Sequence, residues 1–148
     1  MSLDVHAAKF ESLPPTGLGY YTISPSSRQF GTHSTIRMLL DIARQQGWNM
    51  PNLPIGIGDI SFHDGGNMPP HHAHRLGRNV DLRPFRKDAK RLPTNIHDSS
   101  YDRAMTELLV RNLLAHRNVH RILFNDATIH GVHKCAGHDN HIHVETRT

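Results

Sequence analysis

The chain has 148 residues, 17 Lys+Arg against 13 Asp+Glu, and an unusual 14 histidines. That length suits one domain with a core of its own. The apolar runs (Met38–Leu40, Leu108–Val110) break within a few residues, which excludes a membrane-spanning helix, and a single cysteine, Cys135, excludes an internal disulfide.

The formal net charge of +4 suits an anionic partner, but the basic residues are scattered. Their one short cluster, at Arg83–Arg91, is not a nucleic-acid footprint. Residues 1–20 carry neither the basic nor the apolar region of a signal peptide, so none is expected.

In chain order, residues 1–31 are rich in Pro, Ser and Gly and read as irregular, with an extended piece at Gly19–Ile23. The arm proper is expected at 1–18 and a single domain at 19–148. Ile36, Leu39, Leu40 and Ala43 recur at helical spacing, predicting a helix over Thr32–Gln46, capped by Thr32 or Ser34 and stopped by Gly47. Leu53–Ser61 reads as a strand, 63–73 as a Gly/Pro loop, and Arg78–Arg83 as a second strand. In that strand Val80 and Leu82 point one way and Asn79, Asp81 and Arg83 the other.

A polar connection over Arg86–Asp98 leads to Ser99, which with Asp102 resembles a capping box. The helix that follows runs to about His116, with Met105, Leu108, Leu109 and Leu113 as its apolar stripe. Arg121–Asn125 reads as a strand. His141–Arg147 reads as the last one, with Ile142 and Val144 inward and His141, His143 and Glu145 opposite. Two principal helices flanking a mainly antiparallel sheet make an α+β fold.

The histidines fall in two clusters: His71, His72 and His74, then His130, His133, His138, His141 and His143. Imidazole is both the commonest metal ligand and the usual acid–base group near neutrality. If the last strand lies near the strand of Asp81, then His74, Asp81 and His143 can bring two nitrogens and one carboxylate oxygen together. Three protein ligands with one open position is the layout of a catalytic zinc site. His141 and His143 share a strand face, so one can bind metal while the other stays free beside the attacking water. Isolated histidines at 6, 63, 116 and 120 read as solvated, and His33 as part of a helix start. His130, His133 and Cys135 lack a zinc-finger spacing.

The segment His71-x-x-His74-x-x-Gly77-x-x-x-Asp81 and the segment His138-x-x-His141-x-His143 together resemble the penicillin-insensitive murein endopeptidases, within the wider group of lysostaphin-type, D-Ala-D-Ala metallopeptidase and hedgehog-like zinc folds. Phe30-Gly31 and Ile57-Gly58-Asp59 extend the resemblance over roughly residues 19–144. It implies a zinc metallopeptidase domain with His74, Asp81 and His143 as ligands and His141 as the catalytic histidine beside the metal. His138 would stabilise the tetrahedral intermediate. His71 lies at the site, where it would meet substrate, and a second zinc ion would use His71 and His97. Independently of the resemblance, Arg78, Arg83 and Arg86 read either as bidentate partners for a substrate carboxylate or as a solvated basic face.

The implied activity is hydrolysis of an amide in peptidoglycan stem peptides, at the D-alanyl–diaminopimelate cross-link, in the periplasm or another extracytoplasmic space. Peptidoglycan or muropeptide is then the partner, with neither nucleic acid nor membrane insertion expected. A carboxypeptidase on the same chemistry and a non-catalytic zinc-binding module are the rival readings.

Overall fold

A computed structural model describes residues 10–147. The chain runs through β1 (Glu11–Ser12), β2 (Tyr20–Thr22), a 3-10 turn at Ser26–Arg28, β3 (Phe30–Gly31), α1 (His33–Asn49), β4 (Ile55–Ile57), β5 (Asn79–Leu82), α2 (Arg103–Ala115), β6 (Val119–Leu123) and β7 (Ile142–Thr146). Five strands form the main sheet in the order β2-β4-β5-β7-β6, and β1 pairs with β3 in a separate ribbon. Only β2 and β4 run parallel, so they need a crossover, and α1 supplies it. The fold is the expected α+β with two principal helices. The first nine residues of the expected arm, His6 among them, lie outside the described residues; the rest of the 1–18 stretch is not wholly irregular, since it contains β1.

Alternation divides the sheet into two faces. Val80, Leu82, Ile142 and Val144 are buried in one core with Ile36, Met38, Leu39, Ile42 and Ala43 of α1 and Leu109, Val110 and Leu113 of α2. The opposite face carries Asp81 and His143. Their strands pair antiparallel, and the register sets Asp81 directly across from His143 and Asn79 across from Glu145. On the other side of β7, Leu123 opposes His143 and Arg121 opposes Glu145.

Several boundaries differ from the sequence pattern. Gly47 does not end α1, which runs on to Asn49. Its role is close approach: a Cβ there would sit 2.7 Å from Leu18 Cγ and 3.1 Å from Gly19 Cα. Gly19 lies at φ +83°, where only glycine is comfortable, with Ala43 O on its other side. Thr32 is the cap, its side chain accepting from Thr35 N at 3.2 Å.

The second helix begins at Arg103, capped by Asp102 accepting from Met105 N at 3.0 Å, and not at Ser99. Backbone bonds from Lys87 N to Ser100 O and from Asp102 N to Phe85 O tie Ser100–Asp102 to the Phe85–Lys87 segment and keep it out of the helix. Val110 replaces Leu108 on the buried face of α2; Leu108 is 42% exposed. The strand expected over 53–61 pairs only at Ile55–Ile57, and the strand expected at 121–125 sits two residues earlier.

The cap assignment is measurable. Asp102→Ala should lower the unfolding free energy by about 1 kcal/mol, the usual worth of an N-cap side chain. Ser99→Ala should change it by a few tenths at most. Urea unfolding of both variants reads the difference, and equal losses would contradict the assignment.

Candidate metal centre

Two histidines converge on Asp81 with their tautomers set by neutral oxygens behind them. His74 is buried, and its Nδ1 faces the Ile60 carbonyl oxygen at 2.7 Å. A backbone carbonyl only accepts, so Nδ1 carries the hydrogen and Nε2 keeps a bare lone pair. That Nε2 is buried without a hydrogen-bond partner and faces Asp81 Oδ1 at 3.3 Å.

His143 mirrors it. Its Nε2 lies 3.0 Å from Asn79 Oδ1. The Asn79 amide is oriented in turn by donating from Nδ2 to Ala73 O at 2.8 Å. His143 Nε2 is therefore the donor, and its Nδ1 points a lone pair at Asp81 Oδ1 from 3.2 Å. Each of these lone pairs faces the same carboxylate oxygen, and such a pairing needs a proton or a cation between the two atoms.

His71 adds a third imidazole. His71, His74 and Asp81 each bring one ligand atom within 4.8 Å of the other two and could hold a metal ion. The rings of His71 and His74 lie 4.3 Å apart, those of His74 and His143 5.2 Å. His71 Nε2 is closer to Asp59 Oδ2, at 2.7 Å, than to Asp81 Oδ2, at 3.8 Å. Asp59 also accepts from Arg28 Nε and Nη2 at 2.9 and 2.8 Å and from Ser24 Oγ at 2.5 Å.

These contacts decide the charge states. Burial pushes the Asp81 carboxyl up, but the facing nitrogens of His143 and His74 outweigh it and hold the group well below the usual carboxylate range. Asp59 behaves alike, with Arg28, Ser24 and His71 overcoming its burial. Burial pushes His74 down, and the contact with Asp81 more than reverses this. His141 is lowered: burial disfavours its cation, the charge of Asp81 offsets this in part, and His138, His143 and His71 add repulsion.

A cleft of about 430 Å³ opens over this group, lined by His71, His74, His138, His141, His143 and Glu145, among others. His141 Nδ1 faces Asn140 Oδ1 at 2.8 Å, and its Nε2 lies 3.9 Å from Asp81 Oδ1. His138 stacks at 4.6 Å from the His141 ring, with Nδ1 on the Ala136 carbonyl at 3.0 Å.

Six of the expected site residues thus gather at one place. Arg78 and His97 are not among the cleft's lining residues. Arg78 accepts from Thr146 through its carbonyl. His97 is 74% exposed and faces Asp139 at 3.4 Å. The sequence pattern does not single out Asp59 or Asn79 for a role at the site, nor Arg121 paired with Glu145 beside it.

The sequence model of one protein family, described as penicillin-insensitive murein endopeptidase, matches residues 6–128. His71, His74, Asp81 and Asp59 fall inside that span; His138, His141 and His143 lie beyond it. No curated protein matches the chain.

The depressed Asp59 carboxyl gives acid lability a sign. Its stabilisation is present above the ordinary carboxylate value near ~4 and is lost as pH falls below it. Chelator-treated protein should therefore lose unfolding free energy on acidification, and Asp59→Asn should flatten that loss. Denaturant unfolding between about pH 6 and 3 checks it; an equal slope in both proteins would contradict the assignment.

Proposed function

The chain belongs to the penicillin-insensitive murein endopeptidase family, a family of metallopeptidases acting on peptidoglycan, and from that membership we propose zinc-dependent hydrolysis of the D-alanyl–diaminopimelate cross-link. The observation that carries the reading is the convergence of His74 Nε2, His143 Nδ1 and Asp81 Oδ1 with no hydrogen supplied by their outer partners. Two imidazole nitrogens and a carboxylate oxygen suit zinc and leave a fourth position open.

Bound there, zinc would bring the pKa of the attacking water toward ~7 and polarise the scissile carbonyl. The chain's own residues do the rest. His141 donates through Nδ1 to Asn140, which leaves Nε2 as a free acceptor beside Asp81. It takes the proton from the attacking water and returns it to the leaving amine, as a base near neutrality must. Its lowered pKa keeps it neutral and ready to accept.

His138, anchored through Nδ1 to Ala136 beside the His141 ring, lines the cleft where it would stabilise the developing oxyanion. His71, on the cleft wall, meets the stem peptide. A second ion on His71 and His97 has no comparable support, because His97 is turned to Asp139 outside the cleft. Among the described residues no helix is long and apolar enough to cross a membrane. A peptidoglycan substrate places the activity outside the cytoplasm, and the periplasm is the proposed compartment.

Cross-linked peptidoglycan incubated with the protein should lose muropeptide dimers and gain matching monomers. A chelator should stop this and added zinc restore it, read by mass spectrometry. Release of terminal D-Ala alone would make the protein a carboxypeptidase. His141→Ala should keep zinc and lose turnover by about 10²–10⁴-fold; near-normal turnover would remove its role as base. His74→Ala and Asp81→Ala should lose zinc by elemental analysis, and full occupancy in both would contradict the ligand set.

A further inference from the structure

Four imidazoles approach Asp81 within 4 Å; with His141 assigned above as the base, a site using the other three with the carboxylate would be closed. Four protein ligands are the mark of a structural zinc, whereas catalysis requires an open position. This chain must therefore keep one histidine out, and the outer hydrogen bonds tell which. His74 and His143 each donate their remote nitrogen to a neutral oxygen, of Ile60 and Asn79, and so turn lone pairs on Asp81. His71 is wired in the opposite sense. Its Nε2, which approaches Asp81 to 3.8 Å, is the nitrogen that meets the Asp59 carboxylate at 2.7 Å. A carboxylate can only accept there, so that nitrogen carries a hydrogen and has no lone pair to give.

Asp59 is not free to turn away. Its side chain is only 16% exposed. The Arg28 guanidinium grips both carboxylate oxygens, and Ser24 Oγ donates to Oδ1. Arg28 Nη2 also donates to the Pro69 carbonyl at 3.0 Å, which ties the loop preceding His71 to the same anchor.

We propose that Asp59 is a positioning residue that holds His71 Nε2 in its hydrogen-bearing form, outside the ligands of the metal, and so keeps the fourth coordination position open. This rests on the ligand set argued above. It predicts that loss of the Asp59 carboxylate converts His71 from a bystander into a ligand.

The zinc-loaded, 15N-labelled full chain tests it by long-range 1H–15N imidazole correlation spectra, with His71→Ala identifying the His71 signals. In the wild type, His71 Nε2 should show the shift of a hydrogen-bearing nitrogen. In Asp59→Ala the same nitrogen should move to a metal-bound shift. Asp59→Leu, close in size and without an acceptor, replaces the alanine variant if that one does not fold, and the same change is expected.

A metal-bound His71 Nε2 in the wild type, or an unliganded His71 in the folded Asp59 variant, would overturn the proposal. Failure of the ligand reading looks different: His74 Nε2 or His143 Nδ1 would then lack a metal-bound shift in the wild type, whatever His71 does.

Discussion

Asp81 is a carboxylate left only 13% exposed and ringed by imidazoles. An unpaired charge in that position would cost several kcal/mol, because the solvation it loses is not replaced. The facing nitrogens of His143 and His74 offset that penalty, and a cation would do so more strongly. Much of the local architecture serves this one group. The β5–β7 register places His143 across from it, Ile60 O and Asn79 fix the two rings, and the apolar side of β5 seals Val80 and Leu82 into the core.

Two cores of different chemistry thus share one sheet. On one face α1 and α2 bury a continuous aliphatic layer that supplies the stability. On the other, the side chains at every second position are polar and partly desolvated, and they are organised by hydrogen bonds. The period of two makes this arrangement fragile in a specific way. A one-residue slip of β7 against β5 would exchange His143 for Ile142 or Val144 and empty the site.

Most of this is legible in the amino-acid pattern of β5 and β7 alone. Val80-Asp81-Leu82 and Ile142-His143-Val144 each announce a buried face and a polar face; that the two strands are neighbours, with Asp81 across from His143, comes from the sheet order and register. The partners of the imidazoles are not legible there. Ile60 contributes a backbone carbonyl, which no side-chain pattern reveals. Asn79 and Asp59 act through contacts 64 and 12 residues away in sequence. Asn79 does leave a trace, since it shares the face of Asp81 two positions away. The start of α2 and the passage of α1 through Gly47 escape the pattern for a related reason: both depend on what packs against the segment, Phe85 and Leu18, and not on the segment itself.

The outer shell divides labour by charge. Neutral oxygens stand behind His74 and His143, and an ionised carboxylate stands behind His71. A neutral carbonyl selects a tautomer and leaves the opposite nitrogen basic. The Asp59 carboxylate grips its hydrogen more firmly, in the manner of charge-assisted bonds, and does so on the very nitrogen that faces Asp81. On the proposed reading, the same residue type serves as a ligand in two places and a non-ligand in a third, within rings 4.3 to 5.2 Å apart. The number of histidines near a metal centre does not fix its coordination. On that reading the groups facing their other hydrogens do, and the partners this chain provides are the Ile60 carbonyl, Asn79 and Asp59.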